Sequence, residues 1–410
     1  MKKNQWLVLS LALASSMVWG QAAYDLPTLE RLAINSNRAI LSAHEQINAA
    51  RAAVTTAAAF PNPELEYLAG TVRSRGSGIP GDAKSVMLTQ PLDFPWLRTA
   101  RIDAAQAGQT EVQAGADVFI ADSLALVRLR YYESLRREAE LKNAREDAEL
   151  MEGVRSRIAW RVETGESARF ELIKAEAEVL NALKAVQAAG FRTLQAKALL
   201  RQSVGDSLPE DFLLKGSLTQ VPDIESLGDS RGRMAQANPD LLKKRAELQR
   251  AERMFELEKV KRLPTLSLKA GREEDPEVRT SRVGVAITIP LWDRRAGPVA
   301  EAQANVARAR YALEAQEFSG GQALASAYQI YGIARAQVVA LESGIVKKAE
   351  AALKVSEAAY RAGERGFLEV IDAQRVYRAA RAELITARFE LASAWIDIER
   401  LRASSKGMAE

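Results

Sequence analysis

Val283-Gly284-Val285-Ala286-Ile287-Thr288-Ile289 sets a large apolar side chain at every second position, with glycine, alanine and threonine between them. A period of two predicts a β-strand with one apolar face and one small or polar face. Just upstream, Leu266, Leu268 and Ala270 alternate with Thr265, Ser267 and Lys269, and the turn-rich Glu274-Asp275-Pro276-Glu277 separates the two runs. Together they predict a β-hairpin at about 264–290.

The chain carries this unit twice. Pro264-Thr265-Leu266 answers Pro63-Glu64-Leu65 at a shift of 201 residues, and Asn238-Pro239-Asp240-Leu241 answers Asn37-Arg38-Ala39-Ile40. Ile289-Pro290-Leu291 answers Gln90-Pro91-Leu92, and Gly363-Glu364 through Glu369-Val370-Ile371 answers Gly165-Glu166 through Glu171-Leu172-Ile173. Solenoid repeats run about 20–50 residues, so a period this long reads as duplication of a half-domain. The first copy has its own hairpin at about 63–91: Leu65, Tyr67 and Ala69 alternate with Glu64, Glu66 and Leu68, and alternation resumes over 85–90 after the turn-rich 75–82. The expected division is a leader at 1–22, a first repeat at 23–215, a connector at 216–230, a second repeat at 231–404 and a tail at 405–410.

Around the strands the period changes to 3.6. Apolar residues recurring at three and four predict one helix across 26–59 and its copy across 227–262, stopped by Pro61, Pro63 and Pro264. Beyond each Pro-Leu, Ala-, Glu- and Arg-rich stretches predict helices over 99–164 and 298–362, each on the order of 100 Å long at about 1.5 Å per residue. Each turns near Gly165 or Gly363 into a return helix, about 168–204 and 367–402. Alanines such as Ala104, Ala107 and Ala302 favour close antiparallel approach.

A soluble coiled-coil rod accounts for the helices alone. Four strands with one apolar face cannot close by themselves, since the smallest membrane barrels have about eight, and open strand edges cannot face lipid. Sharing one barrel among symmetric copies satisfies both requirements, with eight strands for two chains and twelve for three. Val283, Val285, Ile287, Ile289, Leu65 and Tyr67 would face lipid, and Gly284, Ala286, Thr288, Glu64 and Glu66 a wet lumen.

The first residues suit export. Lys2 and Lys3 precede an apolar run from Trp6 to Trp19, then small residues with cleavage points after Gly20 or Ala22. That is a cleaved signal peptide, with a membrane anchor as the alternative. No cysteine and a single histidine, His44, remove disulfides, thiolate metal sites and most histidine-based acid–base schemes. A net charge of +4 gives no reason to expect nucleic acid. No nucleophile–base pair, phosphate-cradling glycine loop or ligand cluster stands out, so neither an enzyme, nor a cofactor, nor a bound metal is expected.

Asn238-Pro239-Asp240-Leu241, Pro264-Thr265-Leu266-Ser267-Leu268, Ile289-Pro290-Leu291-Trp292 and Tyr360-Arg361-Ala362-Gly363-Glu364-Arg365-Gly366-Phe367-Leu368-Glu369-Val370-Ile371-Asp372-Ala373-Gln374 resemble the TolC-type outer-membrane factors, in order and in both repeats. Phe60-Pro61-Asn62-Pro63-Glu64-Leu65, and Gln90-Pro91-Leu92 followed by Arg98 and Arg101, are similar to the CzcC-like branch, which serves cation-exporting pumps. The resemblance implies a mixed α+β membrane protein: a homotrimer whose outer-membrane barrel of twelve strands continues as a helical periplasmic tunnel. It also implies docking to a periplasmic adaptor and an inner-membrane RND-type transporter. Metal cations are the expected cargo, with drugs or secreted polypeptide as alternatives; a periplasmic coiled-coil adaptor or scaffold is the rival of a different class.

By the same resemblance Glu369 and Asp372 match an acidic ring at the periplasmic constriction. They are three apart and so share a helix face. Tyr360, Arg365 and Glu171 match contacts that hold neighbouring hairpins closed, and Gly165, Gly363 and Gly366 match hairpin turns where the adaptor docks. Trp96 and Trp292 read as aromatic anchors at the membrane interface. Each has a plainer alternative: a solvated charged face for the acids, core packing for Tyr360, helix-to-barrel packing for the tryptophans. His44 reads as an ordinary helix residue, and the scattered Met87, Met151, Met234, Met254 and Met408 build no soft-metal relay.

Overall fold

A computed structural model of the chain describes residues 23–73 and 80–402. The leader expected at 1–22, most of the turn-rich stretch 75–82 and the tail at 405–410 lie outside the described residues. In chain order the elements are β1 (Ala23–Tyr24), α1 (Leu26–Ser36), α2 (Arg38–Ala58), β2 (Glu64–Arg73), β3 (Pro80–Leu92), α3 (Pro95–Glu163) and α4 (Arg169–Val204). Then follow β4 (Leu213–Leu214), α5 (Leu227–Ala237), α6 (Pro239–Val260), β5 (Thr265–Glu274), β6 (Arg279–Thr288), α7 (Ala296–Ala340), α8 (Val346–Arg361) and α9 (Phe367–Arg402), with a π-helical turn at Leu341–Ile345 between α7 and α8.

The four long strands form one antiparallel sheet in the order β2-β3-β5-β6, so the two hairpins join side by side and leave β2 and β6 as open edges. Register sorts the side chains, because directly opposed residues share a face. Leu65 opposes Leu88 and Tyr67 opposes Val86; Leu88 in turn opposes Ala270, Leu268 opposes Val285, and Leu266 opposes Ile287. The opposite face carries Glu64, Glu66, Thr89, Ser267, Lys269, Gly284, Ala286 and Thr288. Large apolar side chains stand out from the first face; Val283 is 88% exposed.

The helices follow the same order. In the half next to the sheet they run α2-α3-α6-α7, and further away α3 packs against α4 and α9, with α9 against α7 and α8. Ion pairs stitch this palisade: Arg250 to Glu111 at 2.7 Å, Arg400 to Asp122 at 2.6 Å and Arg381 to Glu146 at 2.5 Å. The main core lies at mid-length, where α1, the short parallel β1–β4 pair and α5 wrap α3 and α9 around Leu124, Val127, Tyr131, Leu200, Leu324, Trp395 and Ile398. Arg128 is buried there, 2.5 Å from Glu30 and beneath the Trp395 ring. Tyr131 donates to Lys215 O at 2.8 Å, and burial pushes its hydroxyl up to about 12.

Two sequence expectations need correction. The helices expected across 26–59 and 227–262 are each broken at an asparagine. Asn37 Oδ1 accepts from Ala39 N and Asn238 Oδ1 from Leu241 N, while Asn37 Nδ2 donates to Ser203 O and Asn238 Nδ2 to Leu401 O, both at 2.7 Å. Each amide starts a new helix and ties it to the end of that repeat's return helix, which continuous apolar periodicity conceals. The helix expected over 298–362 is interrupted by the π turn, where Ser343 Oγ donates to Val339 O at 2.6 Å. The helix expected from 227 does start at Leu227, because Ser226 caps α5 through Asp229 N, so the last residues of the connector expected at 216–230 are helical.

Candidate functional site at the hairpin tips

The end of the palisade away from the sheet is built by two helical turns of the same design. At the end of α3, Gly165 has φ +79°. Its N–H donates to Val162 O at 3.2 Å, and Glu166 N–H donates to Arg161 O at 2.8 Å. At the end of α8, Gly363 has φ +77°, with Gly363 N–H to Tyr360 O at 3.1 Å and Glu364 N–H to Ala359 O at 3.0 Å. This pair of bonds is the Schellman arrangement, in which a left-handed glycine satisfies the last carbonyls. Gly366 does not share that conformation; its carbonyl accepts from Glu369 N at the start of α9, the position Ala168 fills in the first repeat.

From its turn α9 presents two faces. Phe367, Val370, Ile371 and Gln374 are buried, with Phe367 and Ile371 packed on Met151, Val154 and Ile158 of α3 and Ala175 and Val179 of α4. Glu369 and Asp372 are exposed on the other side. They rim a groove of about 710 Å³ between α8 and α9 whose apolar lining includes Val355, Leu368 and Val376. Glu369 is not free within the protomer, for Arg365 one turn earlier pairs with it. Asp372 has no ion-pair partner among the described residues.

Tyr360, Arg365 and Glu171 do not meet within one protomer. The Tyr360 ring lies 6.3 Å from that of Phe367, with the Arg161 guanidinium 4.9 Å above it. Its hydroxyl and the buried Gln374 Nε2 have no hydrogen-bond partner among the described residues. Glu171 lies in the first turn of α4, where a carboxylate suits the positive helix end. Sequence reasoning missed Arg161 and Trp160, which line a cavity of about 590 Å³ between the two tips together with Glu166, Tyr360 and Gly363. Arg161 is also 3.6 Å from Glu166. Only its place one turn before Gly165 could have flagged it.

Further up the bundle, Asp147 of α3 is 9% exposed. Burial pushes its carboxyl above the usual range, against the pull of Arg378 and Arg381 on α9. At the junction with the sheet, Trp96 stacks on Phe94 at 4.5 Å, whereas Trp292 is 93% exposed. Arg98 and Arg101 donate to the last carbonyls of α2, Ala58 O at 2.8 Å and Ala57 O at 2.6 Å, and Arg101 also pairs with Asp93 at 2.6 Å. They act as caps, fixing the bend from helix to strand. His44 is exposed on α2. Among the described residues, no helix is long and apolar enough to cross a membrane, and no three acidic or histidine side chains cluster to hold a metal.

The outer membrane efflux protein family model matches residues 29–206 and 231–403, one segment in each of the two expected repeats. The cobalt-zinc-cadmium resistance protein CzcC of Cupriavidus metallidurans is 24% identical over 372 residues, covering 90% of this chain and 88% of that protein. A membrane protein from Pseudomonas aeruginosa superposes with a TM-score of 0.80 at 20% identity, covering 94% of this chain and 91% of that one. CusC superposes at 0.79 with 17% identity, covering 98% and 99%.

Proposed function

Because the chain belongs to the outer membrane efflux protein family, we propose that three copies of it close into the exit duct of a tripartite efflux pump. The duct is passive, receives substrate from an inner-membrane RND-type transporter through a periplasmic adaptor, and releases it across the outer membrane. One observation carries this reading: the sheet and the helical palisade are open at the same two sides. β2 and β6 are free edges, and below them the flanking helices expose Phe170, Leu180, Phe191 and Leu194 on α4 and Tyr311, Phe318, Ile330 and Ile333 on α7. A chain that leaves strand edges and apolar stripes unpaired on both flanks is completed by neighbours of its own kind, head to tail around an axis. Four strands each then give twelve.

The lumen continues down the helices to the hairpin tips, where Glu369 and Asp372 would recur in every copy and form an acidic ring favouring cations. The Arg365–Glu369 pair makes the ring conditional: with Arg365 in place half the acids are neutralised, and drawing Arg365 away exposes them. Tyr360 and Glu171 complete the closed contact between tips, and the turns at Gly165 and Gly363 are where the adaptor docks. Metal cations are the proposed cargo, supported by the likeness to CzcC and by this ring. Deleting the gene and complementing it, then titrating divalent metals beside hydrophobic drugs, tests the cargo: sensitivity to metals alone is expected, and sensitivity to drugs alone would reassign it. Planar-bilayer recordings test the ring. Glu369→Gln with Asp372→Asn is expected to keep the channel and abolish block by divalent cations; unchanged block would remove these residues from the gate.

A further inference from the structure

The apolar face of the sheet changes character toward the hairpin tips. Leu88, Ala270 and Val283 stand in one row across β3, β5 and β6. Two positions further along the same face, Arg272 sits between Val86 and Ser281, and two beyond that Glu274 sits between Lys84 and Arg279. Diagonal neighbours on one face lie about 7–8 Å apart, within reach of long side chains, so Arg272 is diagonal to both Lys84 and Arg279. Arg279 bridges Glu274 at 2.5 Å, whereas Lys84 and Arg272 have no ion-pair partner among the described residues. Arg73 and Asp82 share this face, giving four cations against two carboxylates. The opposite face has no such surplus: Lys269 and Arg282 stand there with Glu64, Glu66 and Glu273, and Arg282 lies 3.6 Å from Glu273.

A surplus of cations bordering an apolar band is what a lipid with an anionic headgroup would meet: acyl chains along Leu88, Leu268, Val283 and Val285, phosphate against the basic side chains. Arginine offers paired donors to phosphate oxygens, and lysine a mobile charge. We infer that Lys84, Arg272 and Arg279 form a binding site for the phosphorylated headgroup of outer-leaflet lipid. This rests on the proposal that this face of the sheet meets lipid. Continuity with the apolar band favours lipid over free phosphate, because only an amphiphile satisfies both parts of the surface.

The test uses full-length protein, matured in its host, purified in detergent and titrated with diphosphoryl lipid A, fully dephosphorylated lipid A and inorganic phosphate. Diphosphoryl lipid A is expected to bind at least tenfold more tightly than the dephosphorylated form. Lys84→Gln with Arg272→Gln should erase that difference, and Arg282→Gln on the other face should leave it intact. Equal binding of the two lipids, or an unaltered preference in the double variant, would overturn the site. Displacement of lipid A by inorganic phosphate at matching concentrations would overturn the lipid assignment. Resistance of membrane-bound protein to alkaline extraction is measured in parallel: its loss in the wild type would refute the membrane reading, whereas extraction-resistant protein with no phosphate preference would refute only this site.

Discussion

Gly363 and Gly366 lie three residues apart in one turn, yet the same substitution should affect them differently. At φ +77° an added Cβ strains the backbone of Gly363 by about 1–2 kcal/mol, whereas Gly366 has an ordinary backbone and open space around it. Gly363→Ala is therefore expected to speed amide exchange in the last turn of α8, and Gly366→Ala to leave it unchanged. Equal effects would mean that the turn is held by something other than its left-handed glycine. Asp147 allows a pH test. Its folded-state pKa is raised by burial, so the folded chain holds this proton more tightly than the unfolded chain does. The resulting penalty is absent below the unfolded value and grows as pH rises through the folded one. Asp147→Asn should raise the unfolding temperature at pH 7.5 and have a smaller effect at pH 4; destabilisation at pH 7.5 would show that Arg378 and Arg381 outweigh burial. The turn glycines were legible in the sequence because a left-handed residue is a local demand. Arg161 over Tyr360 was not, since two residues about 200 positions apart meet only through folding of the whole bundle.

At the scale of elements, the two asparagines deserve the clearest test. Asn238 is buried, caps α6 and donates to Leu401 O. Asn238→Ala removes a cap worth about 1 kcal/mol and leaves the part-buried Leu401 carbonyl short of its donor for about 1–2 kcal/mol more. A loss near 2–3 kcal/mol in denaturant unfolding is expected; a loss under about 0.5 kcal/mol would mean that neither bond matters. Alternation over 283–289 falls on β6, which ends at Thr288, and the hairpin expected at 63–91 falls on β2 and β3. Strand signals were easy to read because one face must stay apolar along its length. The breaks at Asn37 and Asn238 were hidden because the apolar stripe continues across them, although the capping residue was visible once asked for. The π turn at Leu341–Ile345 has no counterpart in α3, and nothing in the local sequence accounts for it.

For the whole molecule, the alignment of open edges at sheet and helix level is the feature on which the proposed assembly rests. The sequence pointed to an incomplete sheet by arithmetic on strand number, but the side-by-side order β2-β3-β5-β6, which leaves the edges on opposite flanks, needed the register. The stripe on α4 should be the adhesive part of the helical interface, with Leu180 68% and Phe191 73% exposed in the isolated protomer. Charges placed there would be buried without partners on assembly, at several kcal/mol each. Leu180→Asp with Phe191→Asp is expected to keep helical circular dichroism while abolishing the oligomer; an intact oligomer would move the interface elsewhere. The most direct measurement is the mass of the wild-type protein extracted from outer membranes, by native mass spectrometry after removal of detergent. Three chains, and so a closed ring of twelve strands, is the predicted result; a stable species of one or two chains would contradict the duct.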